Sequence, residues 1–240
     1  MSLRWIGRIV AAGPAIGLAV LGYAYVTLPD VRPLRFANPP TSAFIDLRAR
    51  EARARGDMPR RRQIWIGYRS MSRDLIRAVL VAEDDAFWQH DGVDMNQLQE
   101  SLQIDWTRGR FVRGGSTITQ QLAKNLYLSP SRDPIRKLRE LIIARRLEVE
   151  LPKTRILEIY LNIIEWGDGV YGAEAASQMY FQKHAAELTP QQAALLAAAI
   201  VNPRAMNPQR PTARLVRRQQ LILQRMGVVN PPEETAQLVK

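Results

Sequence analysis

The chain is 240 residues long, with 46% hydrophobic and 24% charged residues, the balance of a folded protein rather than a disordered one. Lys and Arg number 34 against 23 Asp and Glu, so the net charge is +11 and favours a phosphate-bearing partner: nucleic acid, an anionic membrane surface or a pyrophosphate. There is no cysteine, and His90 and His184 are the only histidines. Disulfides, thiolate nucleophiles and Cys-bound metals are excluded, and a His-rich metal site or serine–histidine triad would have to run through one of two rings.

Residues 9–28 form a run without a charged side chain, long enough as a helix to span about 30 Å of hydrocarbon. Trp5 on one side, and Tyr23 and Tyr25 on the other, suit the two interfaces, and Arg4 and Arg8 suit a cytoplasmic N-terminus. A cleaved signal peptide is the rival reading, but the run is long for one and no convincing A-x-A site follows it. Residues 1–28 are therefore expected to be an uncleaved anchor.

Pro29, Pro33, Pro39 and Pro40 then predict an extended connector. Between positions 48 and 62 seven arginines face only Glu51 and Asp57. A solvated basic face is the plain reading, and a tether to anionic lipid is the functional one. A nucleic-acid patch ranks third, because no aromatic residues are interleaved with the arginines. Residues 29–62 are read as a juxtamembrane linker and 63–240 as the main domain.

Past Gln63 helix signals dominate. Residues 63–68 offer the best short strand. Ser72 caps a helix carrying Leu75, Ile76, Val79 and Leu80, and Asp94 with Gln97 resembles the opening of another. Thr117-x-x-Gln120 reads as a capping box. Asp133-Pro134 opens a helix whose apolar face is Leu138, Leu141, Ile142 and Leu147. Thr154 is expected to open one that runs to Gly167. Thr189-Pro190-Gln191-Gln192 starts an Ala/Leu-rich helix, and an arginine-rich helix ends at Gly227. The fold class is mainly α.

Three constellations could carry chemistry. Residues 83–94 read E-D-D-A-F-W-Q-H-D-G-V-D: carboxylates crowded beside Phe87 and Trp88 should raise at least one pKa, as a general acid or base requires. Residues 114–125 read G-G-S-T-I-T-Q-Q-L-A-K-N, a glycine turn and helix start able to meet an anion, but without Walker A spacing. On residues 153–165, Glu158, Asn162 and Glu165 fall at i, i+4 and i+7, one polar stripe on an otherwise apolar helix. The bland alternatives are a helix end, a cap and an amphipathic surface. The two histidines read better as structural hydrogen-bonding groups than as metal ligands. No Ser-x-x-Lys and no Lys-Thr-Gly occurs, so a penicillin-sensitive transpeptidase site is absent.

In these blocks the sequence resembles the peptidoglycan glycosyltransferases of glycosyltransferase family 51, in their monofunctional form. E-D-x-x-F-x-x-H-x-G-x-D at 83–94, G-G-S-T-I-T-Q-Q-L-A-K-N at 114–125 and I-L-E-x-Y-L-N at 156–162 occur in order, with Arg136-Lys137-x-x-Glu140 and G-D-G-V-Y-G at 167–172 also fitting. The resemblance covers roughly residues 63–227. It implies a lysozyme-like helical fold and polymerisation of lipid II into glycan strands at the outer face of the bacterial inner membrane, with release of undecaprenyl pyrophosphate. It implies Glu83 as general base and Glu158 as second catalytic glutamate, holding pyrophosphate with or without a divalent cation (Mg2+ or Mn2+). Lys124 and Arg132 would stabilise the leaving group. Asp84, Ser116, Thr117, Gln120, Gln121, Asn125 and Lys137 would complete the substrate path.

The partners so implied are lipid II, the growing glycan, membrane lipid and other wall-synthesis proteins, not nucleic acid. Ala86 departs from the basic or polar residue many members carry there. Residues 105–113 are expected to gate the cleft. Two other classes stay in view: a glycan-cleaving enzyme, and a membrane-tethered protein that only binds anionic polymer.

Overall fold

The computed structural model describes residues 22–23, 26–94, 115–131 and 133–227. Most of residues 9–28, the Asp94–Gln97 helix start, the loop 105–113 and Arg132 lie outside them. Among the described residues no helix is long and apolar enough to cross a membrane.

Among the described residues eight α-helices follow in chain order: α1 Ala43–Ala54, α2 Arg73–Glu83, α3 Ile118–Tyr127, α4 Pro134–Glu150, α5 Lys153–Ile163, α6 Ala173–Phe181, α7 Pro190–Ala199 and α8 Ala213–Met226. Short polar side chains start most of them, as their sequence suggests. Ser72, Thr117, Asp133 and Thr212 each accept the backbone N–H three residues on, satisfying one of the free donors of a first turn. Thr189 and Gln192 form a reciprocal capping box. Thr117 caps alone: the Gln120 side chain turns to Lys137 instead of back to the cap.

The helices pack as two groups. In one, α2, α7 and α8 lie against each other; in the other, α3 packs on both α4 and α5. A three-stranded sheet of order β1-β3-β2 lies beside them, with β1 Arg62–Gln63, β2 Glu165–Gly167 and β3 Val170–Tyr171. β1 runs parallel to β3, pairing Arg62 with Val170 and Gln63 with Tyr171, and β2 runs antiparallel to β3. Apolar side chains from both helix groups, among them Leu75, Leu80, Ile118, Leu122, Ile143, Leu147, Leu157 and Leu196, form one continuous buried core.

Five expectations need correction. The segment read as a connector is folded: Val31, Leu34, Ile45 and Ala52 are buried, and Arg155 of α5 donates to the carbonyls of Leu34 and Ala37. Within the basic run, Arg48 pairs with Glu51 and with the buried Glu165, and Arg55 with Asp57, so this face is partly neutralised. The buried face of α4 is Glu140, Ile143, Ala144 and Leu147, not Leu138, Leu141 and Ile142. Residues 63–68 contribute only Gln63 to a strand.

The last correction concerns α5. It ends at Ile163 rather than Gly167, because Ile164 turns extended (ψ 149°) and the next residues pair into the sheet. Glu165 therefore leaves the helical stripe for β2. Gly172 makes the return possible: its φ is +83°, and a Cβ there would sit 2.8 Å from the Asn162 carbonyl oxygen.

Candidate active site

Glu83 is the last residue of α2, at the seam between the two helix groups. Its side chain is 14% exposed. Oε2 accepts a hydrogen bond from Gln121 Nε2 on α3 at 3.0 Å. Oε1 lies 3.6 Å from Arg218 Nη2 on α8. Behind Gln121 stands Tyr160 of α5, fully buried, whose hydroxyl donates to Gln121 Oε1 at 2.9 Å. Burial pushes the Glu83 carboxyl above the usual range, against the lowering effects of the Gln121 hydrogen bond, Arg218 and Lys124; Asp84 adds a smaller upward push. A raised pKa is what the sequence suggests, but desolvation, not crowding of like charges, is the main cause.

A carboxylate at a helix C-terminus opposes the helix dipole. The answer here comes from α8, where Arg218 reaches Glu83 and Arg225 pairs with Asp85.

Asp84 has the opposite role. Its side chain is inaccessible to solvent, and Oδ2 accepts the Ile118 N–H that opens α3, at 2.8 Å. His90 Nε2 lies 2.9 Å from Oδ1, while His90 Nδ1 accepts the Gly92 N–H at 3.1 Å. That pair of bonds assigns the proton to Nε2, which donates to Asp84. The Gly92 carbonyl accepts from the Thr117 hydroxyl at 2.7 Å. Gly92 itself sits at φ +89°, with the Ala144 carbonyl oxygen 3.3 Å from where a Cβ would be. Phe87 is fully buried, with Lys153 Nζ over its ring. The first block is thus a knot that fixes Glu83 to the start of α3. Asp84 and Thr117, expected on the substrate path, are buried, with their side chains bonded into this knot. Ala86 is half-buried in the turn after Glu83.

Ser116, Gln120 and Lys137 do converge: Lys137 Nζ lies 3.4 Å from both Ser116 Oγ and Gln120 Oε1. Glu140 holds the ammonium from below and pairs with Arg136 at 2.6 Å. Lys124 is exposed on α3, one turn beyond Gln121, and forms no ion pair with any described residue. Asn125 bonds back to the Gln121 carbonyl.

Glu158 is as shielded as Glu83, with 17% of its side chain exposed, but it is surrounded by donors. Oε1 meets Arg155 Nη1 and, at 3.4 Å, Trp65 Nε1; Oε2 accepts the Tyr68 N–H at 3.0 Å. One turn on, the buried Asn162 takes the Ile66 N–H and donates to the Ile66 carbonyl. The polar stripe of α5 therefore clamps residues 63–68. A divalent cation does not fit beside Glu158, because its oxygens face a guanidinium and N–H groups. Among the described residues no group of three or more His, Asp or Glu could hold a metal.

Sequence reading missed four members of this arrangement. Arg218 has no local signal that pairs it with Glu83. Trp65 and Tyr68 lie in a segment with no motif. Tyr160 lies inside the third block, where the sequence alone gives it no role.

The comparisons agree with the ordered blocks. Residues 51–227 match the family model described as Transglycosylase. The chain belongs to the transglycosylase family. A protein named biosynthetic peptidoglycan transglycosylase from Laribacter hongkongensis is 43% identical over 231 residues, covering 96% of this chain and 100% of that one. Proteins of the same name from Thiobacillus denitrificans and Methylobacillus flagellatus are 43% and 45% identical, covering 95% and 81% of this chain and 97% and 85% of theirs. The chain is thus an enzyme of glycosyl transfer. In this transglycosylase the matched region includes the last turn of α1, residues 51–54, where Ala52 is buried.

Proposed function

We propose that this transglycosylase polymerises lipid II into peptidoglycan strands by inverting glycosyl transfer, releasing undecaprenyl pyrophosphate, and has no transpeptidase activity. The observation that carries this reading is Glu83: a desolvated carboxylate with one oxygen held by an amide, placed beside a helix that bears Lys124.

In this reading Glu83 takes the proton from the acceptor sugar's 4-hydroxyl. The freed oxygen attacks the donor's anomeric carbon from the face opposite the pyrophosphate, and the bonding pair leaves on the pyrophosphate oxygen. Lys124 and Arg132 offset the charge that develops there, and Ser116, Gln120, Gln121, Asn125 and Lys137 line the path. Glu158 supports the cleft wall by holding residues 65–68 in place. No step is assigned to a metal.

Residues 9–28 are taken as a single-pass inner-membrane anchor with a cytoplasmic N-terminus and a periplasmic domain of lysozyme-like fold, so that enzyme and lipid-linked substrate share one membrane. The test is lipid II polymerisation by purified full-length protein in detergent, wild type beside Glu83→Gln. Polymer from the wild type and none from the folded variant supports the reading. Equal polymer from both removes Glu83 from the role of base. Shortening of preformed glycan by the wild type would instead indicate a glycan-cleaving enzyme.

A further inference from the structure

A glutamine amide beside a carboxylate can present either its NH2 or its carbonyl, and only the first leaves the carboxylate usable as a base. Something has to fix the choice. Gln121 is half-buried and has three neighbours that bear on it: Glu83 Oε2 at 3.0 Å from Nε2, the Ser116 carbonyl oxygen at 3.4 Å from Nε2, and the Tyr160 hydroxyl at 2.9 Å from Oε1.

Tyr160 is completely buried on α5, and its phenol is held protonated by burial and by the charges of Glu83 and Asp84. A protonated phenol facing a carbonyl donates to it. Donation to Oε1 turns both Nε2 hydrogens the other way, one to Glu83 and one to the Ser116 carbonyl. A flipped amide would set the Gln121 carbonyl against two acceptors. With Oε2 so engaged, Oε1 is the carboxylate oxygen left to receive a proton.

We propose that Tyr160 is a positioning residue for Glu83: its hydroxyl orients the Gln121 amide, which holds Oε2 and leaves Oε1 to act on the substrate hydroxyl. This rests on the reading of Glu83 as the base. It goes beyond that reading by assigning a role to a residue that touches neither substrate nor Glu83.

The charges around Glu83 are Arg218 from α8, Lys124 from α3 and Asp84 from its own helix. α7, which also packs on α2, carries no titratable side chain. Loss of the Tyr160 hydroxyl leaves those charges in place. It orphans the Gln121 carbonyl, which then turns toward the open side of the cleft, and Glu83 loses the hydrogen bond that favours its ionised form.

The test is read without turnover. Full-length protein labelled with 13C at glutamate side-chain carboxyls is titrated in detergent, with the Glu83 signal assigned by its loss in Glu83→Gln. Tyr160→Phe and Gln121→Leu are each expected to move the Glu83 titration to higher pH. The double variant should move it no further than Gln121→Leu alone, since both act through one bond. In activity, the acid limb of the Tyr160→Phe profile should shift the same way, with kcat on that limb down about fivefold and KM little changed.

An unmoved Glu83 titration in folded Tyr160→Phe overturns the proposal. So do shifts from the two variants that add in full, because Tyr160 would then act by another route. If Tyr160→Phe does not fold, an unmoved titration in Gln121→Leu overturns it equally. A wild type that fails to polymerise lipid II sinks the functional reading, while the titration still decides the role of Tyr160.

Discussion

Glu83 and Glu158 are shielded from water to nearly the same degree, 14% and 17% exposed, and lie on helices of the two different packing groups. What separates them is the supply of donors. Glu158 meets a guanidinium, an indole N–H and a backbone N–H. Glu83 has one amide, and its arginine stands off at 3.6 Å. Equal burial therefore leaves the two carboxylates differently compensated, fully hydrogen-bonded at Glu158 and incompletely at Glu83, and the second is the environment a general base requires.

The largest effect expected from this contrast is at Glu83. Glu83→Gln should lower lipid II polymerisation by roughly a thousandfold or more. It should do so without destabilising the fold. Because folding raises the Glu83 pKa above its ordinary 4.5, the ionised form costs stability at pH values above the raised pKa, and the cost fades as pH falls through that raised value and is gone below 4.5. Thermal unfolding should thus find the variant slightly more stable than wild type at neutral pH, with the gap closing toward pH 4. A variant less stable at neutral pH would break the contrast with Glu158.

Next in size is the knot behind Glu83. Asp84→Ala leaves the Ile118 N–H and the His90 ring without their buried acceptor and should cost about 3 kcal/mol in denaturant unfolding. Gly92→Ala forces a side chain into a left-handed conformation against the Ala144 carbonyl and should cost about 2 kcal/mol. If Asp84→Ala unfolds like wild type, the motif is not the staple described.

The smallest effect belongs to the clamp. Glu158→Gln keeps an acceptor for Tyr68 and Trp65 but removes the charge facing Arg155. It should cost about 1 kcal/mol of stability and lower polymerisation by about tenfold, the loss reflecting displacement of residues 65–68. A loss equal to that of Glu83→Gln would mean Glu158 takes part in the chemistry itself.

Local signals in the sequence located much of the helical frame. Ser72, Thr117, Asp133 and Thr189 open helices because short polar side chains satisfy first-turn N–H groups, and that chemistry needs no distant partner. What was not legible depends on tertiary contact. α5 stops at Ile163 through pairing of β2 with β3, and nothing in Glu165-Trp166-Gly167 read alone forbids another helical turn. Residues 29–40 read as a linker because prolines mark irregular backbone, yet irregular backbone can still be packed, as Leu34 and the bonds from Arg155 show. At the site, Glu83 and Gln121 stood out as residues with chemistry, whereas their relation to Arg218 and Tyr160 is a product of the fold. Asp84 reads in sequence as a second acidic site residue beside Glu83, and only its burial shows that it also joins the Glu83 turn to the start of α3.

The most direct test of Glu83 as a desolvated base is the pH dependence of kcat/KM for lipid II polymerisation by the full-length wild type. The acid limb should fall at a pH clearly above 4.5, the ordinary value of a glutamate. A rate that stays level down to pH 4.5 in folded protein would contradict it.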